Sequence, residues 1–196
     1  MVKRLFDLFF SIIGLILLFP LFIIISIWIK FDSKGPVFYK QNRVGKNFID
    51  FKLIKFRTMK INSDKAGLLT IGKDSRITRL GFLLRRYKLD ELPQLFNVFE
   101  GKMSLVGPRP EVRKFVELYN KEQRCILSIK PGITDFASLK FRNENDILAK
   151  SDLPEQFYIK EIMPVKLNIN LNYIRNNNIF IDIKIIILTL FKILKK

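Results

Sequence analysis

Histidine is absent from this chain, and cysteine occurs once, at Cys125. The first absence removes the commonest proton shuttle, and the two together argue against a zinc site. A lone cysteine excludes an intrachain disulfide and fits a cytosol-facing protein. Cys125 itself reads as a packing residue. Acids are scarce too: 18 Asp and Glu stand against 35 Lys and Arg, a formal net charge of +17. Acid–base or nucleophilic chemistry therefore falls mainly to carboxylates, Lys, Tyr, Ser or Thr. The positive excess implies anionic partners: nucleic acid, anionic lipid head groups or phosphorylated substrates. Charge alone does not choose among them. A hydrophobic content of 48% excludes a disordered basic tail, and 196 residues allow one compact domain with appendages.

Charge is missing altogether between Leu8 and Ile29. As one straight helix this run would reach roughly 33 Å, against a hydrocarbon core of ~30 Å, so a spanning helix is one reading. Pro20 sits near its middle, where it removes a hydrogen bond and crowds the carbonyl of Ile16. A break there leaves two segments that are each too short to span. Lys3 and Arg4 precede the run, while Lys30, Lys34 and most of the basic surface follow it. If both flanks stay inside, the helix enters the membrane and returns to the same face. A cleavable signal fits poorly, because Ile27-Trp28-Ile29-Lys30 offers no small-residue cleavage site.

Short strands are expected at Val37-Phe38-Tyr39 and from Phe48 to Leu53, with a turn at Val44-Gly45-Lys46-Asn47. Lys55-Phe56-Arg57-Thr58-Met59 sets two cations around an aromatic. A solvated edge strand accounts for this pattern, as does a substrate or lipid contact through Lys55 and Arg57. Residues 60–75, with Asn62, Ser63, Asp64, Gly67, Gly72 and Asp74, read as a mobile loop able to cover a ligand. The spacing of Ile77, Leu80, Leu83 and Leu84 predicts a helix over 76–87 carrying Arg76, Arg79, Arg85 and Arg86. Those arginines suit head groups or phosphates, or simply a solvated helix face.

The chain's chemistry concentrates between Leu89 and Pro110. Asp90 is expected as an N-cap, with Glu91 and Pro93 in the first turn of a short helix that Gly101 ends. Capping alone, at about 0.3–1 kcal/mol per acid through the helix dipole, would account for the pair. A carboxylate held ionised at a helix start, near Arg85 or Arg109, would also suit nucleophilic attack on phosphorus. The same pair suits Mg²⁺ bridging to a diphosphate. Gly107-Pro108-Arg109-Pro110 restricts the backbone around Arg109 and gives its planar fork a fixed position for phosphate oxygens.

These stretches together resemble the bacterial sugar transferases, monotopic phosphoglycosyl transferases that begin glycoconjugate assembly on polyprenyl phosphate. The resemblance rests on Lys3-Arg4-Leu5-Phe6-Asp7, Gly35-Pro36-Val37-Phe38 with Gln41 and Arg43, and Lys55 to Met59. It continues through Leu89 to Leu95 with Asn97-Val98, Met103 to Pro110, and Lys130-Pro131-Gly132-Ile133-Thr134, and so covers nearly the whole chain. It implies a two-step reaction in which Asp90 attacks the β-phosphate of a UDP-sugar and releases UMP. The covalent phosphosugar then passes to polyprenyl (undecaprenyl) phosphate. It further implies Glu91 as base or metal partner, Mg²⁺ held by Asp90 and Glu91, phosphate contacts from Arg109 and Arg85, and a re-entrant helix breaking at Pro20. Arg142, in a later matching segment, joins Lys55 and Arg57 as a candidate substrate or lipid contact. Two departures stand out: Phe19-Pro20 where Ser-Pro is frequent, and Asp135-Phe136-Ala137-Ser138 where Gly-Trp-Ala-Gln is common.

Towards the C-terminus, residues 111–129 read as one helix, and 152–178 as aromatic runs with an Asn-rich link. From Ile179 to Lys196 a helical wheel gathers Asp182, Lys184, Thr189, Lys192, Lys195 and Lys196 on one side. Ile183, Ile186, Ile187, Leu190 and Leu194 fill the other, as in an interfacial amphipathic helix or one packed on the core. The expected architecture is α+β and mostly helical. Residues 1–30 form a re-entrant membrane helix, 31–178 a cytosolic catalytic domain with short strands, and 179–196 an interfacial amphipathic helix. The expected partners are UDP-sugar, polyprenyl phosphate and membrane lipids at the cytoplasmic face of the bacterial inner membrane; a homodimer is allowed. A non-enzymatic basic module that binds membranes is the alternative. Nucleic acid has the charge in its favour but no recognition motif.

Overall fold

The computed structural model describes residues 2–61, 63, 69–72 and 74–195. Asn62, Asp64 and Gly67 of the expected loop, and Lys196, lie outside the described residues, as does the side chain of Leu194. The fold is α+β and mostly helical: a long apolar N-terminal helix, short strands, and a series of helices that close on them.

Helix α1 runs from Val2 to Asp32 with Pro20 inside it. The expected division at Pro20 is not seen as an interruption; helical backbone continues past it. Proline deletes one hydrogen bond, and the flanking turns keep theirs. Among the described residues this is the one helix long and apolar enough to cross a membrane. Its buried positions, Asp7 and Ser11 and then, about three turns on, Phe22, Ile25 and Ile29, make a single stripe. That stripe lies against the rest of the chain on both sides of Pro20. Arg4 donates to the carbonyls of Val98 and Phe99 at 2.6 and 2.8 Å, and the Asp7 carboxylate accepts from Ser104 Oγ and Leu105 N, both at 3.0 Å. Farther along, Phe22 meets Phe56 edge-on. Leu5, Phe9, Ile16, Phe19, Ile24 and Trp28 are among the apolar side chains left exposed.

Strands β1 (Phe38–Val44) and β2 (Asp50–Phe56) pair antiparallel, with Phe38 opposite Phe56 and Val44 opposite Asp50. They are longer than the sequence pattern indicated. The turn between them holds Asn47 and Phe48 in left-handed backbone, at φ 56° and 62°. The free edge of β2 is covered by a side chain. Asn97, fully buried, accepts from Ile54 N and donates to the Lys52 carbonyl, both at 2.9 Å. It thereby completes the ladder that an absent strand would otherwise satisfy. A second, parallel pair joins β3 (Ser104–Val106) to β4 (Gly132–Thr134).

Helix α2 (Arg79–Arg86) begins later than periodicity suggested, because Thr78 caps it by accepting from Gly81 N. Glycine is required at position 81: a Cβ there would lie 2.1 Å from the Thr58 carbonyl. The expected helix over 111–129 is divided into α4 (Arg113–Val116) and a 3-10 turn, Gln123–Ser128. The division is local, since Asn120 and Gln123 exchange side-chain-to-backbone hydrogen bonds at 2.9 Å and start a new turn. Cys125 in that turn is exposed, so it is not a packing residue.

Short helices α5 (Phe136–Lys140), α6 (Glu144–Leu148) and α7 (Pro154–Phe157) lead through a π turn to α8 (Met163–Asn176). The last helix, α9, spans Ile179–Leu194 and is capped by Asn178. Three of its polar side chains bond the rest of the protein, while Lys184 is exposed. Asp182 is buried on Lys3 and Tyr173, Thr189 bonds Thr134, and Lys192 donates to the Leu139 carbonyl. Phe180, Ile183, Ile187, Leu190 and Phe191 point outward. The helix also packs on the core through Ile185, which is fully buried, with Ile181 and Ile186 beside it.

Candidate active site

Asp90 and Glu91 lie in a 3-10 turn, Leu89–Glu91, entered through Lys88 in left-handed backbone. Asp90 is therefore not the N-cap of the following helix. Helix α3 (Gln94–Phe99) starts a turn later, with Pro93 in the capping position. Both acids are buried, at 5% and 8% exposure, so they are not solvated cap residues either.

Their surroundings differ sharply. Glu91 is locked: Arg109 forks onto both its oxygens at 3.1 and 2.5 Å, and Lys55 reaches it at 3.1 Å. Burial alone would raise the Glu91 pKa, but Arg109 and Lys55 outweigh it and hold the carboxyl well below its usual range. For Asp90 the balance is reversed. Burial first, then the neighbouring Glu91 charge, push its pKa up, and Lys55, Lys88 and Arg85 only partly oppose them. Its Oδ1 is buried without a hydrogen-bond partner. The expectation of a cap-stabilised, readily ionised Asp90 is thus corrected: of the pair, it is Glu91 whose neighbours favour the ionised form.

The cations are placed by backbone. Lys55, on β2, is buried at the site, and burial outweighs Glu91 in lowering its pKa to about 8. Arg109 is fixed at several neighbouring points. Gly132 N donates to the Pro108 carbonyl at 2.9 Å, Arg43 donates to the Pro110 carbonyl at 3.1 Å, and Asp135 accepts from Arg109 N at 2.9 Å. Gly107 and Gly132 lie so close that a Cβ on Gly132 would sit 2.1 Å from Gly107 N. The Glu91 charge raises the Arg109 pKa further, so the guanidinium is never neutral. Behind it, Glu111 links Arg43 to the hydroxyl of Tyr158, which donates to it at 2.8 Å.

The remaining sequence candidates fall in different places. Arg85 turns to Thr58 Oγ1 and Thr70 Oγ1, at 3.0 and 3.1 Å, and acts on Asp90 through its charge without touching it. Arg57 is buried and directs its hydrogen bonds to Ser33, Lys34 and Pro36, closing the link from α1 to β1. Arg142 is half-buried in the turn between α5 and α6. Asn97, Asp135 and Arg43 were not assigned site roles from sequence. The available signals were an Asn among apolar residues, an acid directly before a helix, and an arginine two residues from Gln41, which accepts from it at 2.8 Å.

For Mg²⁺, the described residues offer no cluster of three or more acids, Cys or His. The fit is that of an ion held by one or two carboxylates and completed by substrate phosphates. Asp90, with an unpartnered oxygen, has a ligand to give; both Glu91 oxygens are already engaged by cations.

A buried acid pair ringed by Lys55, Arg85 and Arg109 is thus carried beside a long apolar helix that suggests association with a membrane. The chain belongs to the bacterial sugar transferase family, whose model matches residues 1–196. It is 38% identical over 198 residues to a UDP-glucose:undecaprenyl-phosphate glucose-1-phosphate transferase of Xanthomonas campestris pv. campestris, covering 98% of this chain and 38% of that protein. It is 35% identical over 197 residues to the UDP-N-acetylgalactosamine-undecaprenyl-phosphate N-acetylgalactosaminephosphotransferase of Aeromonas hydrophila, covering 98% and 44%. It is 39% identical over 160 residues to the exopolysaccharide production protein ExoY of Rhizobium meliloti (strain 1021), covering 74% and 71%. The chain thus spans less than half the length of the first two relatives.

Proposed function

We propose that this protein transfers a sugar phosphate from a UDP-sugar to polyprenyl phosphate, as the relatives' names describe for undecaprenyl phosphate, initiating glycoconjugate assembly. The observation that carries this reading is the division of labour in the acid pair. Glu91 is neutralised by Arg109 and Lys55, which leaves Asp90 with an unpartnered oxygen beside a cationic wall. An Asp90 oxygen attacks the β-phosphorus, and the bond from that phosphorus to the bridging oxygen breaks. UMP leaves with the electron pair. A phosphate oxygen of the lipid then attacks the same phosphorus, breaks its bond to Asp90 and regenerates the carboxylate. Arg109 and Lys55 receive the non-bridging oxygens, where charge builds. Arg85 adds its field. Glu91, kept ionised, acts as the counter-ion that positions these cations, and is a poor base. Mg²⁺, where bound by Asp90 with the substrate diphosphate, would neutralise phosphate charge. Purified protein should release UMP from one or more UDP-sugars with polyprenyl phosphate and Mg²⁺; no release across a panel of UDP-sugars would refute the reading.

The pH profile follows from the same groups. Asp90 must be ionised, and its pKa is raised, so kcat/KM falls as pH drops through that raised value. Lys55 must be charged, so kcat/KM also falls as pH rises past about 8. Lys55→Arg keeps the cation at all pH values and should abolish the alkaline limb. UMP release measured from pH 6 to 10 checks this, and an unchanged limb in the variant would remove Lys55 from the account.

In the membrane, we place α1 as a re-entrant helix at the cytoplasmic face, with α9 lying in the interface. The support is that α1 is bound to the same body before and after Pro20: Arg4 and Asp7 on one side, Phe22, Ile29 and Asp32 on the other. A helix standing across the bilayer would carry one of those ends away. In a Cys125→Ser background, Val2→Cys and Lys34→Cys should both be labelled only from the cytoplasmic side. Periplasmic labelling of either would show a span.

A further inference from the structure

We propose that Asp135 is a positioning residue of the reaction centre, fixing the backbone of Arg109 as well as capping α5. This rests on the catalytic reading above and extends it to the segment where the chain departs from the common family pattern. Between Pro108 and Pro110 the only backbone N–H is that of Arg109, because neither proline has one. That single donor goes to Asp135 Oδ2 at 2.9 Å, while Oδ1 accepts from Ser138 N at 2.5 Å. The carboxylate is 1% exposed, so both bonds are shielded from water. It sits directly after β4, which pairs Thr134 with Val106 and brings the Gly107 N–H onto the Thr134 carbonyl at 3.1 Å. Asp135 is thus carried on one strand of the parallel pair and holds the residue that follows the other.

The neighbouring anchors grip Pro108 and Pro110; Asp135 grips Arg109 itself. A guanidinium that must meet Glu91 on one side and phosphate on the other gains from a fixed Cα, because displacement by about 1 Å costs on the order of 100-fold in rate. A helix cap alone would need one carboxylate oxygen. The second oxygen is what ties α5 to the site.

The two roles separate by substitution. Asp135→Ser keeps a good cap for Ser138 N but has one oxygen and a shorter reach; Asp135→Ala removes both bonds. We expect UMP release in the first half-reaction to fall about 10- to 100-fold in kcat for both variants, with the melting temperature of Asp135→Ser close to wild type. Amide exchange at Arg109 should be slow in wild type and fast in both variants. Wild-type turnover by Asp135→Ser with a loss only in Asp135→Ala would reduce Asp135 to a cap and overturn the proposal. A fast-exchanging Arg109 amide in wild type would overturn it too, and that readout stands even if no UDP-sugar is turned over, an outcome that refutes the transferase reading instead.

Discussion

Asp90→Asn is expected to lower sugar phosphate transfer by about 10⁴-fold or more, while the protein stays folded and becomes more stable at neutral pH. The loss follows from the proposed mechanism, in which an amide in place of the carboxylate could not form the covalent phosphosugar. The gain in stability follows from the site. Asp90 is buried with an unpartnered oxygen and its pKa is raised, so its ionised form destabilises the fold. The sign is set by that direction: the folded state favours the proton, so Asp90 costs nothing at low pH and its cost appears as pH rises through the unfolded value. Asparagine removes the cost. Melting temperatures of variant and wild type in detergent should converge as the pH is lowered. A variant less stable than wild type at pH 7 would contradict this description of the site, and full activity would remove Asp90 as nucleophile.

Arg109→Ala should be damaging in both respects. Its fork holds both oxygens of a buried Glu91, and removing one partner of a buried ion pair costs about 3–5 kcal/mol. Lys55 remains on Glu91 at 3.1 Å, so the lower figure is expected. Losing a fixed donor to the transferring phosphate should reduce kcat/KM by about 10²- to 10³-fold. Arg109→Lys restores charge without the planar fork, and should recover stability better than rate. Kinetics of UMP release together with thermal melts check both. Wild-type kcat/KM in Arg109→Ala would exclude the phosphate contact.

The sequence was legible where one local rule dominated. The uncharged run from Leu8 to Ile29 announced α1, and the wheel from Ile179 announced α9, although Ile186 of its apolar side packs on the core and Lys184 of its polar side is exposed. It could not say which face of α9 meets the protein; that depends on Asp182 finding Lys3 and Tyr173, at the opposite end of the chain. The acids of the site were found but given the wrong local structure. Asp-Glu-Leu-Pro reads as a helix start, whereas Lys88 in left-handed backbone and a 3-10 turn delay the helix and bury the pair. Their contrast in ionisation was invisible for the same reason: it depends on Arg109 choosing Glu91, a contact across 18 positions. Arg57 looked like half of a cationic motif with Lys55, and strand alternation would put the two on one face, yet β2 ends at Phe56 and Arg57, just past it, turns to the segment after α1. Lys55 goes to Glu91, and Arg57 to the carbonyls that follow α1. Asp135 was visible only as a departure from a pattern, since nothing local indicates that Arg109 needs an acceptor.

The central claim is that Asp90 carries the phosphosugar between the two substrates. Its most direct test uses a UDP-sugar labelled in the β-phosphate, mixed with the protein and Mg²⁺ in the absence of polyprenyl phosphate. The account predicts close to one equivalent of UMP per active site, label retained on the peptide containing Asp90, and release of that label as lipid product when polyprenyl phosphate is added. UMP that forms only once the lipid acceptor is present, with no label on the protein, would mean direct transfer between substrates and would contradict it.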